Sequence, residues 1–427
     1  MSRVLDVYLK DRKAGELKQD SDASLTFAYD GDYLANDPVA LSMSLPVREE
    51  LFLDRIARPF FSGLLPDEGA RRRLAAALGI SSGNAFGLLE VIGGECAGAL
   101  SLVPPGQLPP ASTTDDAEAL DEKHLEEILS LLRQRPLLGG EADVRLSLAG
   151  AQDKLAVTVI NGEILLPRGG RPTTHILKPF IEGLDGTVEN EVFCMSLGRR
   201  LGLDVPAVSK GVAGKIDYFL VERYDRLTLE DGRIERLHQE DFCQALSVPP
   251  ELKYEKEGGP GISQCLQLIR QTTARPAAET LRFQRMLMFH YLIGNADAHA
   301  KNYALLYRGK APDLAPMYDA ICTAAYPRLA KKMAMALGGR SLPDTIQMEH
   351  WASLVPSNKA ATRMLAGELM RMADAIGKEA DALMEEMSER GTHHPILKTV
   401  RKIIDTRCAL VRRALEKPSR SATCRYH

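Results

Sequence analysis

The chain lacks the marks of a secreted or membrane-bound protein. Its seven cysteines (Cys96, Cys194, Cys243, Cys265, Cys322, Cys408 and Cys424) are odd in number, scattered and free of C-x-x-C spacing. That argues against both a disulfide framework and a zinc site. No stretch approaches the roughly 18 apolar residues that cross a bilayer, and the opening MSRVLDVYLKDRKAGEL is not a basic-then-apolar signal. A cytoplasmic protein without a membrane partner is expected. Charge of one sign is also lacking: 54 Lys and Arg against 57 Asp and Glu give a net charge of −3, so any contact with nucleic acid has to come from a local basic patch. Internal repeats and low-complexity tracts are absent.

What is present is a soluble globular composition, 45% apolar and 26% charged over 427 residues, long enough for two or three compact units. Alternating runs at Val4–Leu9 and Ser24–Phe27, with a turn at Asp30-Gly31-Asp32, predict a small sheet, and helical spacing follows at Arg71–Leu78. Pro104–Pro110 and Ala111–Asp116 read as a surface linker. Beyond it the pattern predicts a helix at Asp121–Leu132 and strands at Lys154–Ile160, Glu163–Pro167 and Thr174–Pro179, with an Asn161-Gly162 turn between the first two. From about Asp241 the pattern is helical almost throughout, over Leu281–Ile293, Met348–Leu354, Ala361–Ile376 and Ile396–Leu415. A mixed lobe followed by a helical lobe is an α+β, two-lobed plan, with units expected at 1–110, 111–240 and 241–427. Trp351 is expected as a core anchor and His393-His394 as loop.

The most informative stretch is Gly294-Asn295-Ala296-Asp297-Ala298-His299-Ala300-Lys301-Asn302. Phosphoryl transfer to an alcohol needs a carboxylate to orient the hydroxyl and take its proton, and an oxygen ligand nearby for magnesium. Asp297 and Asn302 stand five apart, the separation of base and metal ligand in the catalytic loop of protein kinases. His299 and Lys301, between them, are candidates to neutralise charge on the transferred phosphoryl group. A polar loop capping a helix would give the same residues. Asp319, after a strand-turn-strand pattern, is placed to return beside this loop as a second metal ligand, and a turn aspartate is the plainer alternative. Lys178 closes an apolar strand, as the phosphate-binding lysine of kinases does; a solvated strand-end lysine is the alternative. Glu189 or Glu191 on the following helix could pair with it. Ser147–Lys154 has one glycine among small residues, and its backbone amides with Lys154 could cradle phosphates.

These segments together resemble a known family. Leu146–Lys154, Thr174–Lys178, Val221–Arg226, Gln239–Ala245, Lys253-Tyr254-Glu255 with Gly258–Gly261, and Asp297–Asn302 look like successive motifs of the HipA kinases, in the family's order. Ser44-Leu45-Pro46, Phe60–Asp67 and Gly98–Leu102 resemble that family's N-terminal subdomain, here carried in the same chain. The resemblance runs to about Arg340. It implies a two-lobed protein-kinase-like (HipA/PI3K-like) fold and an ATP- and Mg2+-dependent serine/threonine protein kinase. Asp297 would be the catalytic base, Asn302 and Asp319 the magnesium ligands and Lys178 the phosphate contact. Ala149, Gly150, Ala151, Gln152 and Lys154 would form the phosphate loop, and Glu222 and Tyr224 the adenine hinge. Ser147 matches the serine that family members autophosphorylate to switch themselves off. Asp153, Asn295-Ala296 and Ala298 depart from the usual pattern without removing a catalytic group.

The family also implies a setting. HipA proteins are toxins paired with a HipB-like helix-turn-helix antitoxin that binds operator DNA, and their protein substrate is an aminoacyl-tRNA synthetase, typically the glutamyl one. Arg328, Lys331, Lys332 and Arg340, and the tail group Arg401, Lys402, Arg407, Arg412, Arg413, Lys417, Arg420 and Arg425, could approach DNA phosphates; solvated helix faces are the plainer explanation of each group. Two other classes compete: a small-molecule kinase with the same catalytic loop, which leaves the N-terminal subdomain unexplained, and a regulatory pseudokinase acting as corepressor, which would not need the carboxylates.

Overall fold

A computed structural model of the chain describes residues 2–109, 117–140, 146–168, 171–231 and 233–416. The segment expected as a linker lies partly outside these, at 110–116, as do Lys417, Arg420 and Arg425 of the tail group.

The N-terminal unit opens with a meander of β1 (Arg3–Leu9), β2 (Arg12–Gln19) and β3 (Leu25–Tyr29). A short α1 (Gly31–Ala35) follows, then α2 (Asp54–Gly63), α3 (Glu68–Leu78), α4 (Ala85–Ile92) and β4 (Leu100–Val103). All pairings are antiparallel in the order β3-β2-β1-β4. Beside this sheet the unit holds four helices, α1 to α4, where the sequence pattern predicts one. Phe27, Phe52, Phe60 and Phe61 fill the space between and are essentially inaccessible to solvent.

The small lobe is a six-stranded antiparallel sheet in the order β5-β7-β6-β8-β10-β9, built from β5 (Ala117–Ala119), β6 (Leu155–Ile160), β7 (Glu163–Pro167), β8 (His175–Pro179), β9 (Val208–Ala213) and β10 (Ile216–Glu222). Helices α5 (Glu122–Leu131) and α6 (Thr187–Arg200) interrupt it. The β6–β7 hairpin turns on Asn161 and Gly162, both at positive φ (51° and 86°), the backbone that a tight hairpin requires. One apolar core runs from the N-terminal sheet through this lobe; a second runs through the large lobe; Ile176 and Phe180 pack against both.

A small ribbon of β11 (Arg226–Thr228) and β12 (Ile234–Arg236) leads into the large lobe. That lobe carries β13 (His238–Asp241), α7 (Phe242–Ala245), α8 (Ile262–Thr272), α9 (Pro276–Ile293), β14 (Ala304–Tyr307), β15 (Asp313–Leu314), α10 (Met348–Ala352), α11 (Lys359–Glu389) and α12 (Pro395–Glu416). The three strands form a sheet of order β13-β14-β15 inside an otherwise helical lobe. Trp351 is buried against Tyr291, and His393-His394 is loop. Helix α9 is the axis: its second half is buried from Phe283 to Ile293 apart from Arg285, mostly through apolar side chains, with Gln284 donating to Leu354 O and His290 accepting from Asn295. It ends at Gly294, whose φ of 75° favours glycine, and a Cβ there would lie 2.7 Å from Ile403. That stop delivers the chain directly into the segment 295–302.

The six described cysteines are buried and free, and no helix among the described residues is long and apolar enough to cross a membrane.

Candidate active site

A cleft of about 750 Å3 separates the lobes. The phosphate loop, β8, β10, the segment 295–302 and Asp319 all contribute to its lining. Ile176, Met195, Pro206, Phe219 and Val221 make part of it apolar, the surface that a purine needs, with Glu222 and Tyr224 beside them. Glu222 is exposed at the end of β10, and Tyr224 stacks on Tyr318 at 5.6 Å between ring centres.

Lys178 projects from β8 and is buried. Its Nζ donates to Glu191 Oε1 at 2.8 Å and also to Asp319 Oδ1. Of the two glutamates open in the sequence, Glu191 is thus the partner, while Glu189 pairs with Lys210. Burial disfavours the ammonium, but the two carboxylates outweigh it and raise the Lys178 pKa. The partial burial of the Asp319 carboxylate opposes its charge, and Lys178 and Lys154 outweigh this and hold its pKa down. Asp319 sits at φ 52°, a left-handed backbone that is uncommon for a side-chain-bearing residue and gathers at functional sites.

The loop from Gly294 is braced internally. Asn295 accepts the Asp297 amide N–H at 2.9 Å and donates to His290 Nδ1 at 3.1 Å, while Asn302 donates through Nδ2 to the Asp297 carbonyl at 3.2 Å. Asp297, open to solvent at the cleft, accepts from Tyr254 at 2.8 Å. The surrounding protein raises its pKa, and the Tyr254 hydroxyl limits the rise. His299 is buried, and burial with Lys253 and Lys301 nearby pushes its pKa down to about 3, so it is a neutral imidazole. Its Nδ1 has no hydrogen-bond partner. The Lys301 ammonium is not free: it is buried on the Asp67 carboxylate, which also holds Lys253. Burial would raise the Asp67 pKa; the two lysines hold it below the ordinary range.

The segment 146–154, expected to cradle phosphates, is pinned from the N-terminal unit. The Asp67 amide donates to Gly150 O at 3.0 Å, and the Ser147 amide to Glu95 O at 2.8 Å. Ser147 lies outside the cleft lining: its hydroxyl is fully buried and donates to Leu64 O at 2.6 Å. Ala149, Gly150, Ala151, Gln152 and Lys154 do line the cleft. Gln152 donates to Pro179 O at 2.9 Å, and Lys154 to Ala149 O at 2.6 Å. Burial lowers the Lys154 pKa to about 8, so an anion entering the cleft would restore its full charge.

The residues fit nucleotide and magnesium. Asn302 and Asp319 offer hard oxygen donors, and among the described residues no cluster of three or more His, Cys, Asp or Glu could hold a metal on protein ligands alone. Two oxygen ligands completed by phosphate and water is the habit of Mg2+, not of zinc. Four lysines, at 154, 178, 253 and 301, converge on the same cleft. The sequence pattern left Asp67, Lys253 and Tyr254 without a chemical role, and each acts here through a contact made only in the fold; Asn295 caps the loop locally, as a polar loop after a helix would.

Comparison with known proteins now decides the family. The model described as HipA-like C-terminal domain matches residues 146–392 and that described as HipA N-terminal domain matches residues 5–103. The chain belongs to the HipA family. It is a serine/threonine kinase of that family, and the match runs well past Arg340, where the motif resemblance ends. The serine/threonine-protein kinase toxin HipA of Shewanella oneidensis is 30% identical over 391 residues, 87% of each chain. The Sinorhizobium fredii protein Y4mE, which carries a kinase name, is 43% identical over 391 residues, 91% of this chain and 93% of its own. A solved S. oneidensis toxin-antitoxin complex of HipA, HipB and operator DNA matches at 26% identity and TM-score 0.79, over 97% of this chain and all of the other. The HipA fold, with its two lobes and N-terminal unit, is thus that of this chain.

Proposed function

We propose that this HipA-family kinase transfers the γ-phosphoryl group of ATP to a serine or threonine hydroxyl of a protein, as the toxin of a toxin-antitoxin pair. The observation that carries the reading is the meeting of Lys178, Glu191 and Asp319 in one cleft with Asp297 and Asn302. Asp297 accepts the hydroxyl proton as the acceptor oxygen bonds to the γ-phosphorus, and the bond to the β-phosphate oxygen breaks to release ADP. Lys178, kept charged by its two carboxylates, binds the nucleotide phosphates, and Lys154 with the amides of residues 149–152 covers them. Asn302 and Asp319 would hold magnesium, which when bound neutralises charge on the β- and γ-phosphates. Glu222 and Tyr224 flank the adenine. His299, uncharged, serves as a wall of the catalytic loop, and Lys301 takes part through its pairing with Asp67.

The finer parts of the reading rest on the family. The protein substrate would be an aminoacyl-tRNA synthetase of the glutamyl type. A HipB-like antitoxin would join this chain to operator DNA, as the S. oneidensis complex combines HipA, HipB and DNA. Of the basic groups, Arg328, Lys331, Lys332 and Arg340 are exposed, whereas Arg401 and Arg412 are already paired with acidic residues of α11. The first group is therefore the better candidate for phosphate contact. Ser147 would be the autophosphorylated residue, and its burial under Leu64 means that the loop has to leave its present seat to be modified. The chain is taken as three units, 1–110, 111–240 and 241–427.

The test is incubation with labelled ATP and magnesium. Label is expected on protein, and Asp297→Asn is expected to lower the transfer rate about 10²–10⁴-fold with ATP binding retained. Turnover of a metabolite without labelled protein would favour a small-molecule kinase; near-normal transfer by the variant would remove Asp297 from the chemistry.

A further inference from the structure

Beside the catalytic loop, residues 249–261 form a strap: a 3-10 turn at Pro250–Leu252, a second at Glu255–Glu257, and the run Gly258-Gly259-Pro260-Gly261 leading into α8. Lys253 is tied to Asp67 of the N-terminal unit, and Glu255 accepts the Ala336 amide N–H while its own amide donates to Ala334 O at 3.3 Å. At Gly259 a Cβ would come 2.0 Å from the Leu252 carbonyl, so the strap folds tightly on itself. It is tied on both sides of Tyr254, by the Lys253 side chain before it and by the Glu255 backbone after it. The Tyr254 ring stands edge-on to His299 at 5.2 Å, half-buried, and its hydroxyl donates to Asp297 Oδ1 at 2.8 Å.

A general base reaches the proton it removes across about 2.6–3.2 Å. The Tyr254 hydroxyl meets that condition against Asp297. We propose that Tyr254 stands in for the acceptor: its hydroxyl occupies the place of the substrate hydroxyl at Asp297, and a serine or threonine side chain has to displace it. The proposal rests on Asp297 being the base. Burial and the nearby Asp297 carboxylate raise the Tyr254 pKa, so the hydroxyl keeps its proton and remains a donor. With the strap fixed, clearance comes from rotation of the tyrosine side chain, not from lifting of a lid. Tyr254 would thereby protect ATP from water while no protein substrate is docked. It would also favour acceptors that bring enough contact elsewhere to replace one hydrogen bond to a carboxylate. Once it is displaced, the acceptor proton passes to Asp297, the acceptor oxygen bonds to the γ-phosphorus, and ADP leaves; with water as acceptor the products are ADP and phosphate.

Tyr254→Phe in the full chain keeps the ring on His299 and removes the hydroxyl. Hydrolysis of magnesium ATP without a protein acceptor is expected to rise on the order of tenfold, the size of one hydrogen bond to a charged group. KM for ATP should stay unchanged, and with dephosphorylated casein as acceptor probe, KM for casein should fall. Tyr254→Leu should move hydrolysis in the same direction, which separates the hydroxyl from the ring. A lower kcat with both KM values unchanged would mean that Tyr254 merely holds Asp297 in place, and unchanged hydrolysis would mean that its hydroxyl competes with nothing; either overturns the proposal. Failure of the underlying assignment reads differently, as activity that survives Asp297→Asn.

Discussion

Replacing Lys178 by methionine separates what this lysine does for the fold from what it does for the nucleotide. The side chains of Lys178 and Glu191 are only 7% and 6% exposed and meet at 2.8 Å. Methionine keeps the packing of the stem near Phe219, whose ring centre is 5.3 Å from Nζ, but leaves Glu191 buried without its counter-charge. Breaking a buried pair in this way costs about 3–5 kcal/mol. The second carboxylate, Asp319, has a side chain 37% exposed, so its pairing is screened and adds little to that figure. Thermal unfolding should show a loss of roughly 10 °C for a lobe of this size. The double variant Lys178→Met/Glu191→Leu removes both charges and should recover most of the loss, because an apolar pair of similar volume is tolerated where an orphan charge is not. Neither variant should transfer phosphate, and neither should gain stability from ATP, whereas ATP at about 100 times its Kd stabilises the parent by about 2.7 kcal/mol. A single variant that unfolds within about 2 °C of the parent, or a double variant no more stable than the single, would show that Lys178 and Glu191 do not form a stabilising buried pair.

Glu240 gives a pH test. It is buried under the hydroxyls of Ser42 and Tyr307 and the Met43 amide, and burial raises its pKa to about 7 in spite of these donors. The folded state therefore keeps a proton that the unfolded chain releases near pH 4.5, so stability falls as pH rises from there to 7, by at most about 3 kcal/mol. Glu240→Gln should flatten that decline in melting curves between pH 5 and 8, and parallel curves would refute it. Asp67→Asn should cost about 3 kcal/mol in urea unfolding, because Lys301 and Lys253 lose their shared counter-charge. A variant as stable as the parent would show that the N-terminal unit is not latched to the catalytic loop by charge.

Features set by neighbours in the chain were legible before any coordinates. The Asn161-Gly162 hairpin follows from two residues, α9 and α12 from apolar spacing, and the polar loop over residues 295–302 from its place directly after the helix that Gly294 ends. Features set by distant packing were not. Glu189 and Glu191 are both buried on α6, and nothing local says which one turns to Lys178; the choice depends on Lys210, which takes Glu189 from β9. The three-stranded sheet in the large lobe pairs β13 with β14, Asp241 opposite Ala304 and His238 opposite Tyr307, far apart in the chain, so neither strand announces its partner. Asp67 lay in a stretch that resembled the family but had no assignable chemistry, since its partner Lys301 is 234 residues away.

The missed contacts share a cause. Pattern reading finds groups that chemistry forces to be near one another in sequence, such as a base and a metal ligand on one loop. It passes over groups whose only task is to balance them. Asp67 offsets the charge of Lys301 and Lys253 while its own backbone amide binds Gly150, so a single residue of the N-terminal unit touches the catalytic loop, the strap and the phosphate loop. A buried carboxylate between two lysines is stable only while all three stay together. The N-terminal unit is therefore tied energetically to the cleft: separating it from the lobes would take the counter-charge from Lys301 and Lys253 and the Asp67 amide from the segment 146–154.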